Sequence, residues 1–130
     1  MHYMLMLYAD EKAGASIPKD QMREAMDGLY AYQQALEKAG AFIATSGLAP
    51  TWDARTIRME GGEIVQRHGT FLNERGELKV HDGPYADTRE QFGGYYLIEA
   101  PDMDAAVEWA KQCPAAQWGP IEIRPLGGFT

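Results

Sequence analysis

Three features of this 130-residue sequence predict an α+β fold. It opens on an apolar run, residues 2–9, of the kind that fills a central strand. Two stretches, about residues 18–39 and the segment between Asp102 and Pro114, repeat their apolar side chains at helical spacing. Between and after them lie short β-branched and aromatic runs bounded by turn signals.

The opening strand stops at Asp10-Glu11-Lys12. Gly14 to Pro18 reads as a loop, with Pro18 in the first turn of a helix and Ser16 or Ile17 near its cap. Met22, Ala25, Met26, Leu29, Tyr32 and Leu36 form the stripe of that helix, with Gln33 as a polar break and Gly40 as the stop. Gly28 costs about 1 kcal/mol against alanine there and marks close packing or a tolerated defect. Residues 41–48 form a strand and 49–53 a turn. Thr56 to Met59 alternates as a strand, Gly61-Gly62 reverses the chain, and residues 63–71 return as a strand. Asn73-Glu74-Arg75-Gly76 is a further turn, leading into the strand Leu78-Lys79-Val80-His81. Tyr95-Tyr96-Leu97-Ile98, within residues 91–100, is the strongest β run. Asp102 caps the second helix, whose stripe is Met103, Ala106, Val107 and Ala110, and Pro114 ends it. Ile121 to Leu126 is the last strand, and residues 127–130 are a tail.

The order is β-α-β, then hairpins, then β-α-β. That is a ferredoxin-like split βαβ plan with an inserted hairpin, in a single domain over residues 1–130. It gives one antiparallel sheet with both helices on one face. The other face needs cover, and a second copy of the chain, in a homodimer, is the simplest cover. Nineteen acidic against twelve basic residues leave a net charge of -7, which argues against nucleic acid and anionic membrane surfaces as partners. No apolar run reaches the roughly 18 residues of a membrane span. The N-terminus lacks a secretory leader pattern, and the single cysteine allows no internal disulfide, so a cytoplasmic protein is expected.

Few residues are arranged for chemistry. His2, His68 and His81 have no metal-ligand spacing, although His68 and His81 could meet across a hairpin; no metal or other cofactor is expected. Cys113 lies at a helix C-terminus, which raises a thiol pKa, and Ser16 and Ser46 lack a nucleophile elbow. Gly61-Gly62, Gly93-Gly94 and Gly127-Gly128 lack the context of phosphate loops; inside a strand, Gly93-Gly94 signals a bulge or a close backbone approach. The dense segment is Val80 to Tyr95, which sets His81, Asp82, Tyr85, Asp87 and Arg89 around a rigid Asp-Gly-Pro turn. Asp82 is either a turn residue accepting backbone N–H bonds or a carboxylate at a pocket mouth. On a strand, His81 and Asp82 point to opposite faces, so adjacency alone does not make them a dyad.

This segment, Asp82-Gly83-Pro84-Tyr85-Ala86-Asp87-Thr88-Arg89-Glu90 with Gly93-Gly94-Tyr95-Tyr96, resembles the signature of the DGPF-domain group of the YCII-related superfamily. The opening Tyr3 to Tyr8 and the closing Ile121-Glu122-Ile123-Arg124-Pro125-Leu126 resemble the group's first and last strands. Tyr85 stands for Phe, Asp87 for Glu and Arg89 for Lys, and the segment from Gly61 to Gly76 is longer than in the group, as an extra hairpin. The resemblance implies a dimeric α+β barrel, with muconolactone-isomerase-like proteins among the relatives. It also implies a His–Asp pair whose histidine lies in the first helix. Here that helix has no histidine, and Tyr30 or Tyr32 lies nearest the place. Some members are encoded beside alternative sigma factors, which implies a regulatory protein partner.

Three functions follow. The first is a small-molecule binding module with its cleft at the Asp-Gly-Pro turn, using Tyr85, Arg89 and Tyr30 as ligand contacts. The second is a cofactor-independent isomerase or lyase with Asp82 as general base and His81 or Arg89 as acid or anion anchor. The third is a regulatory accessory protein working with a sigma factor. A cleft alone favours the first, an ionisable residue with a perturbed pKa in a cleft the second, and an exposed apolar patch outside the dimer interface the third.

Overall fold

The computed structural model describes residues 1–127. The elements run β1 (His2–Ala9), α1 (Glu11–Ala15), α2 (Lys19–Lys38), β2 (Phe42–Gly47), β3 (Arg55–Glu60), β4 (Glu63–Arg67), β5 (Thr70–Glu74), β6 (Glu77–Asp82), β7 (Gln91–Glu99), α3 (Met103–Gln112) and β8 (Ile121–Pro125). Short 3₁₀ turns cover Thr51–Asp53 and Pro114–Gln117. The expected tail beyond Gly127 lies outside the described residues. The chain packs as two compact units, one of Met1–Leu48 with the chain from Thr88 onward, the other of Ala49–Asp87.

The larger unit carries a four-stranded antiparallel sheet in the order β2-β7-β1-β8. With α2 after β1 and α3 after β7, this is the ferredoxin-like arrangement the sequence predicts. Alternate residues choose the faces. Tyr3, Leu5, Tyr96 and Ile98 bury against Tyr32 and Leu36 of α2 and Ala106 and Ala110 of α3. Both helices therefore share one face. Met4, Met6, Tyr95 and Leu97 point the other way and are half-buried.

Local sequence explains most of these elements. Asp102 caps α3 by accepting the Ala105 N–H at 2.9 Å. Gly40 ends α2 with φ +72°, which lets Ala41 N–H reach back to the Leu36 carbonyl at 2.8 Å. A Cβ on Gly28 would stand 3.8 Å from Pro114, ordinary packing distance, so a tolerated glycine describes it better than obligatory closeness. The bulge falls at Gly93: the β1–β7 register steps from Leu7 opposite Gly94 to Tyr8 opposite Phe92.

Two expectations at the start of the chain are corrected. Residues 11–15 form α1, because Asp10 accepts the N–H groups of Lys12 at 3.0 Å and Ala13 at 3.2 Å and caps a short helix that takes in Gly14 and Ala15 of the expected loop. Pro18 sits at the cap of α2 itself, outside the first turn; its carbonyl accepts the Met22 N–H at 2.9 Å.

The smaller unit consists of two ribbons, β3 with β6 and β4 with β5. Residues 63–71 are thus not one strand. His68 and Gly69 form a two-residue reversal with φ of +53° and +79°, between the paired residues Arg67 and Thr70. Nor does Gly61-Gly62 fold β3 onto β4, since the partner of β3 is β6, with Glu60 opposite Glu77. The glycine pair leads the chain from one ribbon to the other. A side chain on Gly62 would collide with Asn73 and with the backbone of Glu74 and Gly76, so the hairpin base closes tightly. Histidines 68 and 81 lie on different ribbons, and the ring of His81 is bonded to Glu60.

Candidate functional site

The Asp-Gly-Pro turn is built on the β3–β6 ribbon. Gly83 N–H donates to the Ala54 carbonyl at 2.7 Å, and the Thr56 hydroxyl donates to the Gly83 carbonyl at 2.9 Å. Gly83 has φ +104°, a conformation natural to glycine. These bonds pin the turn without the Asp82 carboxylate. Asp82 instead meets Arg55 across the ribbon, Oδ1 to Nε at 3.4 Å, with its side chain 90% exposed.

His81 pairs with Thr56 in the register and lies on the opposite face of the strand from Asp82. Its Nε2 stands 2.8 Å from Glu60 Oε1. The imidazole therefore has a carboxylate partner, and that partner is Glu60. Tyr85 lies under the guanidinium of Arg58, 5.2 Å from ring centroid to Cζ, and is otherwise exposed. In the larger unit, Arg89 reaches Asp10 Oδ2 at 3.6 Å with its own side chain in solvent.

Tyr30 stands in a different setting. It lines a cavity of about 320 Å³ between α2 and the ends of β2 and β7. Leu7, Met26 and Leu29 supply apolar wall. Gln33, Thr45 and Tyr96 line it as polar residues, and Ser46, paired opposite Tyr95 with its side chain on the other face of the sheet, brings its carbonyl close to Gly94. Gly47, Gly93 and Gly94 complete the lining where the bulge falls. A Cβ on Gly94 would come 3.1 Å from the Ser46 carbonyl, so β2 and β7 approach closely here, whereas one on Gly47 would meet nothing within 4 Å. Burial pushes the Tyr96 phenol up from its ordinary pKa, the neighbouring Cys113 adds to this, and Thr45 opposes it; the cavity keeps a neutral hydroxyl there.

From sequence, Tyr30 is expected as a contact of a cleft at the Asp-Gly-Pro turn; the structure sets it beside a cavity whose lining contains none of the turn residues. Gln33 was visible only as the polar break in the α2 stripe. Ser46 and Gly47 carry no local signal, because what matters is their approach to Gly94 from another strand. Glu60 had no signal either, since its strand pairs with a distant one.

A model of the YCII-related domain matches residues 1–130. The chain belongs to the YCII-related family. This YCII-related chain is also similar to an uncharacterized protein of Rhizobium meliloti (strain 1021), 32% identical over 128 residues, covering 97% of this chain and 92% of that protein. Among the described residues no helix is long and apolar enough to cross a membrane, and no group of three or more His, Cys, Asp and Glu side chains is placed to hold a metal ion. Within this YCII-related fold, the cavity beside Tyr30 is open to solvent on one side and presents both apolar and polar lining. The His81–Glu60 pair can move a proton at the surface of the ribbon.

Proposed function

We propose that this YCII-related protein is a small-molecule binding module, with its site in the cavity between α2 and the β2–β7 edge and Tyr30 at the entrance. One observation carries the reading. The cavity, about 320 Å³, joins apolar walls to a few polar atoms and lies at the small end of the roughly 300–1,000 Å³ range of ligand sites. The segment 82–90 supports membership of the DGPF group, and the half-buried Met4, Met6, Tyr95 and Leu97 support a homodimer closed over the open face of the sheet. A second reading, a general-base isomerase or lyase, draws support from the His81–Glu60 contact at 2.8 Å; Asp82 would then act separately, from the other face of the ribbon.

Ligand-observed NMR with a fragment set against the full chain tests the binding reading. Fragment binding should disappear in Gly47→Ile, which fills the cavity from a position with free space, and persist in Asp82→Asn. Binding that ignores Gly47→Ile and vanishes in Asp82→Asn would move the site to the turn and overturn the proposal.

A further inference from the structure

Among the described residues every buried side chain lies in the larger unit, and from Ala49 to Asp87 no residue is buried. The β3–β6 ribbon shows what this leaves open. Residues directly paired across an antiparallel ribbon share a face, and alternate residues along a strand return to it. One face therefore carries the pairs Ile57–Val80 and Met59–Leu78, with Arg55–Asp82 at its end. The opposite face carries Thr56–His81, Arg58–Lys79 and Glu60–Glu77 and suits water. The four apolar side chains are 40–66% exposed, and a two-stranded ribbon is marginal in water unless such a face is covered.

The pattern of that face indicates its cover. Each strand contributes one charge and two apolar residues at matched positions, Arg55, Ile57 and Met59 on β3 and Asp82, Val80 and Leu78 on β6. Place a second copy face to face, about a twofold axis parallel to the strands, and β3 of one copy lies over β6 of the other. Arg55 then meets the partner's Asp82, Ile57 the partner's Val80 and Met59 the partner's Leu78, and each contact occurs twice. The Asp82 carboxylate is available for this. The turn is pinned through Gly83, and Asp82 reaches its own Arg55 through one oxygen at 3.4 Å.

Resting on the homodimer proposed above, we infer that the ribbon is an arm whose apolar face packs against the same face of a second copy, giving the smaller unit the core it lacks. Four side chains are too few to hold two chains alone, since a standard interface takes about 800 Å² from each partner. The sheet seam brings the copies together, and the ribbons then meet at high effective concentration.

Amide exchange in residues 55–60 and 77–82, read by mass spectrometry on the full chain, tests this. Leu97→Asp, as a monomer, and Val80→Asp, as a dimer, should both speed that exchange about tenfold or more, while the amides of β1 stay slow. Arg55→Glu and Asp82→Lys should each do the same. Neither of these variants has opposite charges at 55 and 82 within its own chain, but the two refolded together have them across the mixed dimer. A slow-exchanging population should reappear only in that mixture. Cross-linking gives an independent reading should the charge variants fold poorly. An Ile57→Cys chain mixed with a Val80→Cys chain should be joined by a bismaleimide of about 10 Å span, the spacing of stacked sheets, and a Lys79→Cys chain in place of the second should not. The natural Cys113 is buried and stays out of reach. If the mixture shows no slow population and no such link forms, at twice the chain mass, the ribbon contact is overturned, the homodimer stands and the face is open to a different protein. A monomer mass for the natural protein removes both.

Discussion

Tyr32 does two jobs with one side chain. Its ring meets Tyr96 edge-to-face at 5.2 Å inside the core. Its hydroxyl donates to the Trp109 carbonyl at 2.6 Å. That carbonyl needs a donor because α3 ends early: Cys113 N–H turns to the Ala110 carbonyl at 3.1 Å instead. Tyr32→Phe should therefore cost about 1–3 kcal/mol in urea unfolding, the penalty of an unsatisfied acceptor, with the aromatic packing kept. Burial, with added contributions from Cys113 and Tyr96, holds the Tyr32 phenol well above its ordinary pKa of 10.0. A raised phenol pKa stabilises the fold fully below the unfolded value, and the gain is lost as pH rises through the folded value. Stability measured from pH 9 upward should therefore fall as pH rises past about 10, more steeply in the natural protein than in Tyr32→Phe. Gly119 gives another residue-scale test. A Cβ there would strike the carbonyl of Tyr8, so Gly119→Ala should destabilise by about 1–3 kcal/mol, read by the same unfolding curves.

Among the elements, the β4–β5 hairpin is the detachable one. It leaves Ile64, Phe71 and Leu72 exposed, and it emerges where Glu60 and Glu77 already face each other across β3 and β6. Replacing residues 61–76 by Asn-Gly should close that ribbon with a two-residue turn and leave a cooperative thermal transition. Loss of that transition would mean that the hairpin belongs to the core. This part of the chain also marks the limit of sequence reading. The apolar opening strand, the α2 stripe with its Gly40 stop, the Asp102 cap and the Gly93 bulge are local patterns, and each was legible. The break at His68 was not, because a non-glycine residue takes φ +53° there and interrupts a run whose composition stays strand-like. The pairing of β3 with β6 spans a whole inserted hairpin, which no short window records. The candidate site suffered in the same way. Ionisable groups crowd the Asp-Gly-Pro turn and draw attention, yet Asp82 and Tyr85 stand in solvent. The cavity is assembled from residues on β1, α2, β2 and β7, most of them bland in sequence, and their approach to one another is set by strand pairing rather than by any local motif.

For the molecule as a whole, the proposed homodimer sets the mass to expect in solution. Sedimentation at micromolar concentration should give about 29 kDa, twice the chain mass of 14.5 kDa. Two apolar faces compete for the seam. One is the open face of the large sheet, with Met4, Met6, Tyr95 and Leu97. The other is one face of the β3–β6 ribbon, where Ile57 pairs with Val80 and Met59 with Leu78, all exposed. The four-stranded sheet offers the broader surface, so Leu97→Asp should shift the sedimenting species to the monomer mass while Val80→Asp leaves it at twice that mass. The reverse result would transfer the interface to the ribbon.

The position of β1 bears on how the protein is made. It lies between β7 and β8, so both of its hydrogen-bonding edges wait for strands that the ribosome delivers last. During synthesis the most apolar strand of the chain is exposed as a nascent segment, able to pair with a neighbouring polypeptide before its own partners arrive. A chain released before residue 91 has neither partner for β1, and a truncated product of that length is expected to aggregate.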